Sequence, residues 1–199
     1  MSLSFKNISL VLASGSPRRQ QFFKDMGFEV LIRLKEIEEV YPPHMTGAEI
    51  PLYLSALKAK ALMNDLAEDE LLITSDTIVW NKGKALGKPK DKSEAISMLE
   101  SMSGGNHEVF TAVCFSYKGQ QSFCEQKTSV HFKELSEAEI NYYVEQYQPY
   151  DKAGAYGIQE WIGLIGISHI EGSYNNVVGL PTHLVYSELK RLLGTPKFK

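Results

Sequence analysis

Short apolar runs alternate along the chain with segments in which apolar residues recur every three or four positions. The runs at 8–12 and 71–80 predict buried strands, because they are too short for buried helices and are rich in Ile, Leu and Val. Between them, Ser16 followed by Pro17 predicts the start of a helix. Strands that alternate with helices indicate a mixed α/β sheet flanked by helices.

Three further helices are predicted by the residues that would cap their N-termini. These residues are Thr46, Asp91 and Ser136, and another helix is expected after Pro181. The segments predicted as further strands are 28–34, 108–117, 122–132 and 161–170. The two central segments flank a turn that contains Gly119 and therefore predict a β-hairpin.

The composition excludes several classes of partner. The 199 residues suffice for one domain, or for one domain with two lobes, that needs no disulfides to fold. With 24 acidic and 21 basic residues, the chain lacks the excess of Lys and Arg that binding to a nucleic acid polymer requires. No apolar stretch is long enough for a membrane helix or a signal peptide. Two cysteines in such a chain predict a reducing, cytoplasmic location.

Residues 13–19, ASGSPRR, connect the first strand to the first helix. Arg18 and Arg19 fall in the first helical turn, where the positive end of the helix dipole makes a cation cost about 0.3–1 kcal/mol. A bound anion would offset that cost, since free N–H groups at a helix start and a guanidinium both bind phosphate. Ser14 and the small loop after it would let the phosphate approach. Two interpretations are open: a polyphosphate site, or arginines that extend into water.

Asp76 is the one acidic residue within the apolar run 71–80. A buried carboxylate without a partner costs several kcal/mol, so we expect Asp76 to be paired, to bind a metal, or to lie at the mouth of a cleft. Glu38 and Glu39 follow the second strand, and Glu39 and Asp76 are the candidate metal ligands. The alternatives are a solvated acidic loop and a sharp turn that exposes Asp76.

Two lysines and one glutamine complete the set of candidate site residues. Lys58 borders the apolar face of the second helix, and Lys88 lies in a Gly-Lys-Pro loop. Both either contact phosphate or are ordinary surface lysines. Residues 150–159 are small and rich in glycine, so their backbone can approach a ligand, and Gln159 offers both a donor and an acceptor. A tight connection without function is the alternative.

Five motifs occur together in order along the chain: ASGSPRR at 13–19, SDT at 75–77, GKP at 87–89, MSG at 102–104 and DKAGAYGIQ at 151–159. With these motifs, the chain resembles the Maf family, nucleoside triphosphate pyrophosphatases that are also described as septum-formation inhibitors. The resemblance extends from about Leu10 to about Leu193. It implies a single domain over residues 1–199, elongated and two-lobed with a cleft between the lobes, akin to inosine triphosphate pyrophosphatases.

The resemblance also implies an activity and its cofactor. Members cleave a nucleoside triphosphate between the α- and β-phosphates with a divalent cation, Mg²⁺ or Mn²⁺, and a homodimer is expected. The catalytic residues implied are Asp76 as general base, Glu39 and Lys88, with Glu39 and Asp76 near the metal. The substrate-binding residues implied are Ser14, Arg18, Arg19, Lys58, Thr77 and Gln159.

The residues Arg18, Thr77 and Gln159 are similar to those of the branch that acts on dTTP and UTP, rather than the branch that acts on 7-methyl-GTP. Two positions depart from the pattern. Ser75 stands where alanine is more usual, and Glu160 stands where glycine is usual, which adds a carboxylate beside the base-recognition position. The alternative functions are a nucleotide-binding regulator of cell division that does not cleave, and a phosphatase-like enzyme that releases orthophosphate.

Overall fold

A computed structural model describes residues 3–198. The helices in this range are α1 Pro17–Asp25, α2 Glu49–Leu62, α3 Lys92–Met102, α4 Glu137–Tyr147, α5 Trp161–Gly166, α6 Tyr174–Val178 and α7 Thr182–Leu193. The strands are β1 Leu3–Ser4, β2 Ser9–Leu12, β3 Val30–Ile32, β4 Glu70–Asn81, β5 Lys84–Leu86, β6 Asn106–Tyr117, β7 Gln120–Phe132, β8 Ile167–Glu171 and β9 Lys197–Phe198. None of these helices is long and apolar enough to cross a membrane.

The main sheet is mixed, as the sequence predicts. Its strands are hydrogen-bonded in the order β3-β2-β4-β6-β7-β8, and β5 pairs with β4. Strand β2 runs parallel to both neighbours, with Leu10 opposite Val30 in β3 and opposite Leu71 in β4. Strands β5 and β8 are antiparallel to β4 and β7. The predicted α/β fold, with a mixed central sheet and flanking helices, is therefore confirmed.

The chain divides into two compact units. The first unit comprises Met1–Asp76, Thr111–Gln126 and Gly179–Lys199. In it, consecutive residues of β4 pack into different apolar clusters: Leu71 joins the cluster that contains Phe23, and Leu72 joins the cluster that contains Val11. Both faces of β4 are thus covered by apolar side chains here, which explains why residues 71–73 are continuously apolar instead of alternating.

The second unit comprises Thr77–Phe110 and Lys127–Val178. Its core is a single cluster in which α3 contributes Leu99 and Met102 and α4 contributes Tyr143. Both helices begin at the capping residues expected from the sequence. The side chain of Asp91 accepts a hydrogen bond at the start of α3, and Ser136 forms a complete capping box with Glu139 at the start of α4.

The strand predicted over 161–170 is wrong in its first half. Residues Trp161–Gly166 form α5, and the strand β8 begins only at Ile167. The N–H groups of Gly163 and Leu164 both donate to the carbonyl of Glu160, which winds the chain into a short helix and buries Ile162 in the core of the second unit. Tertiary packing therefore overrides the β-propensity of this segment.

Strand β3 is shorter than the predicted segment 28–34 and less buried. Only Val30–Ile32 is regular, and Ile32 and Leu34 are 44 % and 60 % exposed. Because β3 is the first strand of the sheet order, it has a neighbour on one side only. The alternation of apolar residues in 28–34 thus indicated a strand correctly but not its burial.

His107 is a buried histidine in the second unit. It is 2 % exposed, its Nε2 lies 2.8 Å from the hydroxyl of Tyr156, and its ring packs edge-on against Tyr156 and Phe132. Burial lowers the pKa of His107 to about 4, and the charge of His131 contributes in the same direction. The folded protein therefore resists protonation of His107, whereas the unfolded chain does not.

This difference predicts a loss of stability in mild acid. Above pH 6.5 His107 is neutral in both states and has no effect, and as the pH falls from 6.5 towards 4 only the unfolded chain binds the proton. We expect the free energy of unfolding to fall by about 2 kcal/mol more between pH 7.5 and pH 5 in the wild type than in His107→Gln. Urea unfolding of both proteins at the two pH values measures this. Equal losses in both proteins would contradict it.

Candidate active site

The loop between β2 and α1 is held by its own hydrogen bonds. Ser14 is buried, its hydroxyl accepts from the N–H of Ser16 at 3.3 Å, and its carbonyl accepts from Nε2 of Gln20 at 3.0 Å. The hydroxyl of Ser16 in turn accepts from the N–H of Arg19 at 3.5 Å, as an N-cap does. The predicted start of α1 at Pro17 is confirmed.

Arg19 points into the first unit and does not extend into water. Its Nε donates to the carbonyl of Gly179 at 2.9 Å, and its Nη1 donates to the carbonyl of Ser75 at 3.0 Å. Burial lowers the pKa of Arg19 from its ordinary value, the carboxylate of Asp76 opposes this shift, and the charge of Arg18 adds to it. The first turn of α1 is thereby attached to β4 directly before Asp76.

Asp76 lies inside β4 and is 7 % exposed, so it is not part of an exposed turn. Its Oδ1 is 2.6 Å from Nζ of Lys58. Burial raises the pKa of Asp76 above its ordinary value, and the positive charges of Lys58 and Arg19 oppose that shift. Of the three expectations for Asp76, namely a paired carboxylate, a metal ligand or a residue at the mouth of a cleft, this contact shows the first.

The partner of Asp76 comes from α2 because of how that helix packs. The hydroxyl of Thr74 donates to the carbonyl of Ser55 at 2.7 Å. Thr74 and Asp76 are two residues apart in a strand and lie on the same face, and Ser55 and Lys58 are three residues apart on one face of a helix. The buried hydrogen bond between β4 and α2 therefore places Lys58 opposite Asp76.

Lys58 also reaches Glu39, in the segment that follows β3. Its Nζ is 2.9 Å from Oε1 of Glu39, whose side chain is 46 % exposed. One ammonium thus contacts two carboxylates that are 37 residues apart in the sequence. With Arg18 and Arg19 in the first turn of α1, the first unit gathers three cations and two carboxylates around the end of the β2–α1 loop.

The carboxylates of Glu39 and Asp76 are the only predicted metal ligands. Within residues 3–198, no group of three or more His, Cys, Asp or Glu side chains could hold a metal ion. The two carboxylates nevertheless share a cation already, the ammonium of Lys58. In nucleotide enzymes, Mg²⁺ is commonly held by one or two carboxylates together with phosphate oxygens and water. The pair fits a cation that binds with a nucleotide, not one enclosed by protein side chains alone.

The other three predicted site residues belong to the second unit. Thr77 follows Asp76 in β4 and is half-buried. Lys88 is exposed in the loop between β5 and α3, and Gln159 is exposed in a turn that precedes α5. The exposure of Lys88 and Gln159 leaves their side chains accessible to a ligand.

The glycine-rich segment and the Gly-Lys-Pro loop contact each other within the second unit. The N–H of Gly154 donates to the carbonyl of Gly87 at 3.0 Å, next to Lys88. Gly154 has a φ of 69°, and a Cβ there would lie 2.8 Å from Cγ2 of Val79. Only glycine satisfies both constraints, which gives a physical reason for glycine at this position.

Sequence reasoning missed one buried cation in this unit. Lys152 is 8 % exposed, and its Nζ lies 2.7 Å from Asp151 and 3.1 Å from Glu160. No sequence pattern around Lys152 predicts that it is buried. The only indication of an ion pair in the sequence is the neighbouring Asp151.

Comparisons with known proteins give the following matches. A family model described as Maf-like protein matches residues 9–192. A protein of Christiangramia forsetii named dTTP/UTP pyrophosphatase is 56 % identical over 96 % of this chain and 97 % of its own length. A protein of the same name from Bacteroides thetaiotaomicron is 50 % identical over 92 % of this chain and 95 % of its own.

Among solved structures, a dITP/XTP pyrophosphatase from Mycobacterium abscessus covers 94 % of this chain and 96 % of its own, with a TM-score of 0.42 and 12 % identity.

Proposed function

The chain belongs to the Maf family, and from this premise we propose that it hydrolyses dTTP and UTP to the nucleoside monophosphate and pyrophosphate. The observation that carries the proposal is the identity of 50–56 % to two proteins named dTTP/UTP pyrophosphatase, over more than nine-tenths of each chain. A non-catalytic regulator of cell division is not favoured, because a protein that only binds nucleotide needs no buried carboxylate such as Asp76.

The phosphates are bound by cations and by the start of α1. A triphosphate brings about four negative charges, and hydrolysis needs positive charge on both sides of the bond that breaks. Arg18, Arg19 and Lys58 supply charge in the first unit, and Ser14 precedes the N–H groups of the first helical turn. Lys88 is proposed as a fourth phosphate-binding cation.

Asp76 acts on the attacking water. A general base works best when its pKa lies near the operating pH, and burial moves the pKa of Asp76 in that direction. Nζ of Lys58 donates to one oxygen of the carboxylate at 2.6 Å. A phosphate oxygen would compete for the same ammonium. Substrate binding would therefore weaken the contact with Lys58, which lowers the pKa of Asp76 and makes it a weaker base.

Glu39 and Asp76 would hold the divalent cation, Mg²⁺ or Mn²⁺, that the family implies. When bound with the nucleotide, such a cation neutralises phosphate charge and lowers the pKa of water. Lys58 contacts both carboxylates and so keeps them close together.

Thr77 and Gln159 are proposed to recognise the nucleobase. A hydroxyl and an amide each offer a donor and an acceptor, which suits the alternating carbonyl and N–H groups of uracil and thymine. A site built from hydrogen bonds rejects a base with the wrong pattern, because its own polar groups would be left unpaired. We further propose that the protein forms a homodimer in the cytoplasm and acts in septum formation, and that it takes neither a nucleic acid polymer nor a membrane as partner.

The identity of the products tests the proposed reaction. We expect ³¹P NMR of UTP incubated with the protein and Mg²⁺ or Mn²⁺ to show pyrophosphate and UMP, and dTTP to react comparably. Formation of UDP and orthophosphate would instead indicate the phosphatase-like reaction. Binding of UTP without any turnover would favour the regulator. A panel with CTP and purine triphosphates in the same assay then ranks the substrates.

A further inference from the structure

Four groups around Gln159 form one hydrogen-bonded chain within the second unit. The N–H of Gly157 donates to the hydroxyl of Tyr143 at 3.0 Å, and that hydroxyl donates to Oε2 of Glu160. The other carboxylate oxygen, Oε1, lies 3.1 Å from Nζ of Lys152. Both oxygens of Glu160 are therefore engaged, one by a hydroxyl and one by an ammonium.

Both partners of Glu160 are donor groups. Burial raises the pKa of Tyr143, and the hydrogen bond to Glu160 raises it further, so the phenol keeps its proton and donates it. Lys152 is buried and supplies the compensating positive charge. Glu160 therefore acts as a hydrogen-bond acceptor beside Gln159 in the sequence.

The backbone places Gln159 and Glu160 in one turn beside Gly157. The N–H of Glu160 donates to the carbonyl of Gly157 at 2.9 Å and closes a turn around Gln159. A Cβ at Gly157 would lie 2.8 Å from Nε2 of Gln159 and 2.8 Å from Cδ of Glu160. The amide nitrogen of Gln159 and the carboxylate of Glu160 therefore both lie next to the position that a Cβ at Gly157 would take.

We propose that Glu160 is a positioning residue that turns the NH₂ group of Gln159 towards itself and leaves the amide oxygen facing outward to the base. The inference rests on the proposed function, in which Gln159 contacts the nucleobase. An outward carbonyl accepts a hydrogen bond from a ring N–H. Uracil and thymine carry such a group at N3, whereas cytosine carries a lone pair there, so Glu160 selects keto pyrimidines over cytosine.

The test compares UTP with CTP in Glu160→Gln. The neutral amide of the new glutamine can donate as well as accept, so it no longer fixes the orientation of Gln159. We expect the ratio of kcat/KM for UTP to that for CTP to fall about tenfold, mainly through KM, since the hydrogen bond lost is to the base and not to the phosphates. An equal loss for both nucleotides, as a purely structural role would produce, overturns the inference.

Two further variants make the result decisive. Glu145→Gln makes the same chemical change at an exposed ion pair with Lys92 and should leave the ratio unchanged. Tyr143→Phe removes the hydroxyl that holds Glu160, and it should shift the ratio in the same direction. If Glu160→Gln does not fold, Tyr143→Phe decides, and an unchanged ratio there counts against the inference.

The outcome is separable from that of the proposed function. A wild-type protein that converts UTP to UMP and pyrophosphate, with variants that keep its UTP-to-CTP ratio, overturns the role of Glu160 alone. A wild-type protein without turnover overturns the proposed function. In that case, calorimetric binding of UMP and CMP to wild type and Glu160→Gln still tests whether the carboxylate sets the preference.

Discussion

Replacing Asp76 with asparagine is expected to lower kcat for UTP by about a thousandfold or more, while nucleotide affinity stays within about tenfold. Asparagine has nearly the same size, and its carbonyl can still accept the hydrogen bond from Lys58. It cannot take a proton from water, and it carries no charge to hold a divalent cation. The loss therefore falls on the chemical step. Steady-state rates and calorimetric binding of UTP without metal measure the two effects separately.

The control is Asp65→Asn in the same unit, where the carboxylate is 54 % exposed and forms an ion pair with Lys35 at 3.3 Å. That variant should keep the wild-type rate. Thermal unfolding of Asp76→Asn excludes loss of fold as the cause of a low rate. Wild-type turnover in folded Asp76→Asn would remove Asp76 from the mechanism altogether.

The parts of the fold that sequence predicts are those that local chemistry decides. Ser16, Asp91 and Ser136 cap helices because their side chains accept hydrogen bonds from N–H groups three residues further along. Residues 71–73 are all apolar because this part of β4 is covered on both faces. Both features can be recognised from a few consecutive residues, without knowing which other segments pack against them.

The parts that sequence does not predict depend on long-range contacts. Strand β5 has three residues and is defined by its pairing with β4, which no local pattern encodes. The helix at Trp161–Gly166 replaces a predicted strand because the carbonyl of Glu160 captures two N–H groups and Ile162 packs in the core. In both cases the structure of the segment is decided by the residues that it pairs with or packs against, and not by its own sequence pattern.

The candidate site divides in the same way. The position of Asp76 within an apolar run implied that it has a partner, but 18 residues separate it from Lys58, and the pairing depends on the packing of α2 against β4. No sequence pattern indicated the network of Tyr143, Lys152 and Glu160. Tyr143 fits the apolar stripe of its helix, so the sequence predicts a buried ring and not a hydrogen bond from its hydroxyl to Glu160. Only the fold brings the two groups together.

Replacing Gly163 with alanine is expected to lower the free energy of unfolding by about 4 kcal/mol, which is near the largest loss that single substitutions ordinarily cause. A Cβ at this position would lie 1.8 Å from the carbonyl oxygen of Ile158 and 2.6 Å from its carbon. Both are backbone atoms, so no side-chain rotation relieves the overlap. The turn from Gly157 to Gly163, which carries Gln159 and Glu160, must move, and hydrolysis of UTP should fall together with stability.

The matched control is Gly87→Ala, since a Cβ at Gly87 would meet nothing within 4 Å. It makes the same chemical change in the same unit, and we expect a shift in the free energy of unfolding of about 0.5 kcal/mol or less. The contrast separates steric overlap at Gly163 from the general effect of replacing glycine with alanine. That general effect restricts the unfolded chain and by itself stabilises the protein slightly. If urea unfolding finds Gly163→Ala as stable as Gly87→Ala, the close approach of α5 to Ile158 is wrong, and with it the geometry that presents Gln159.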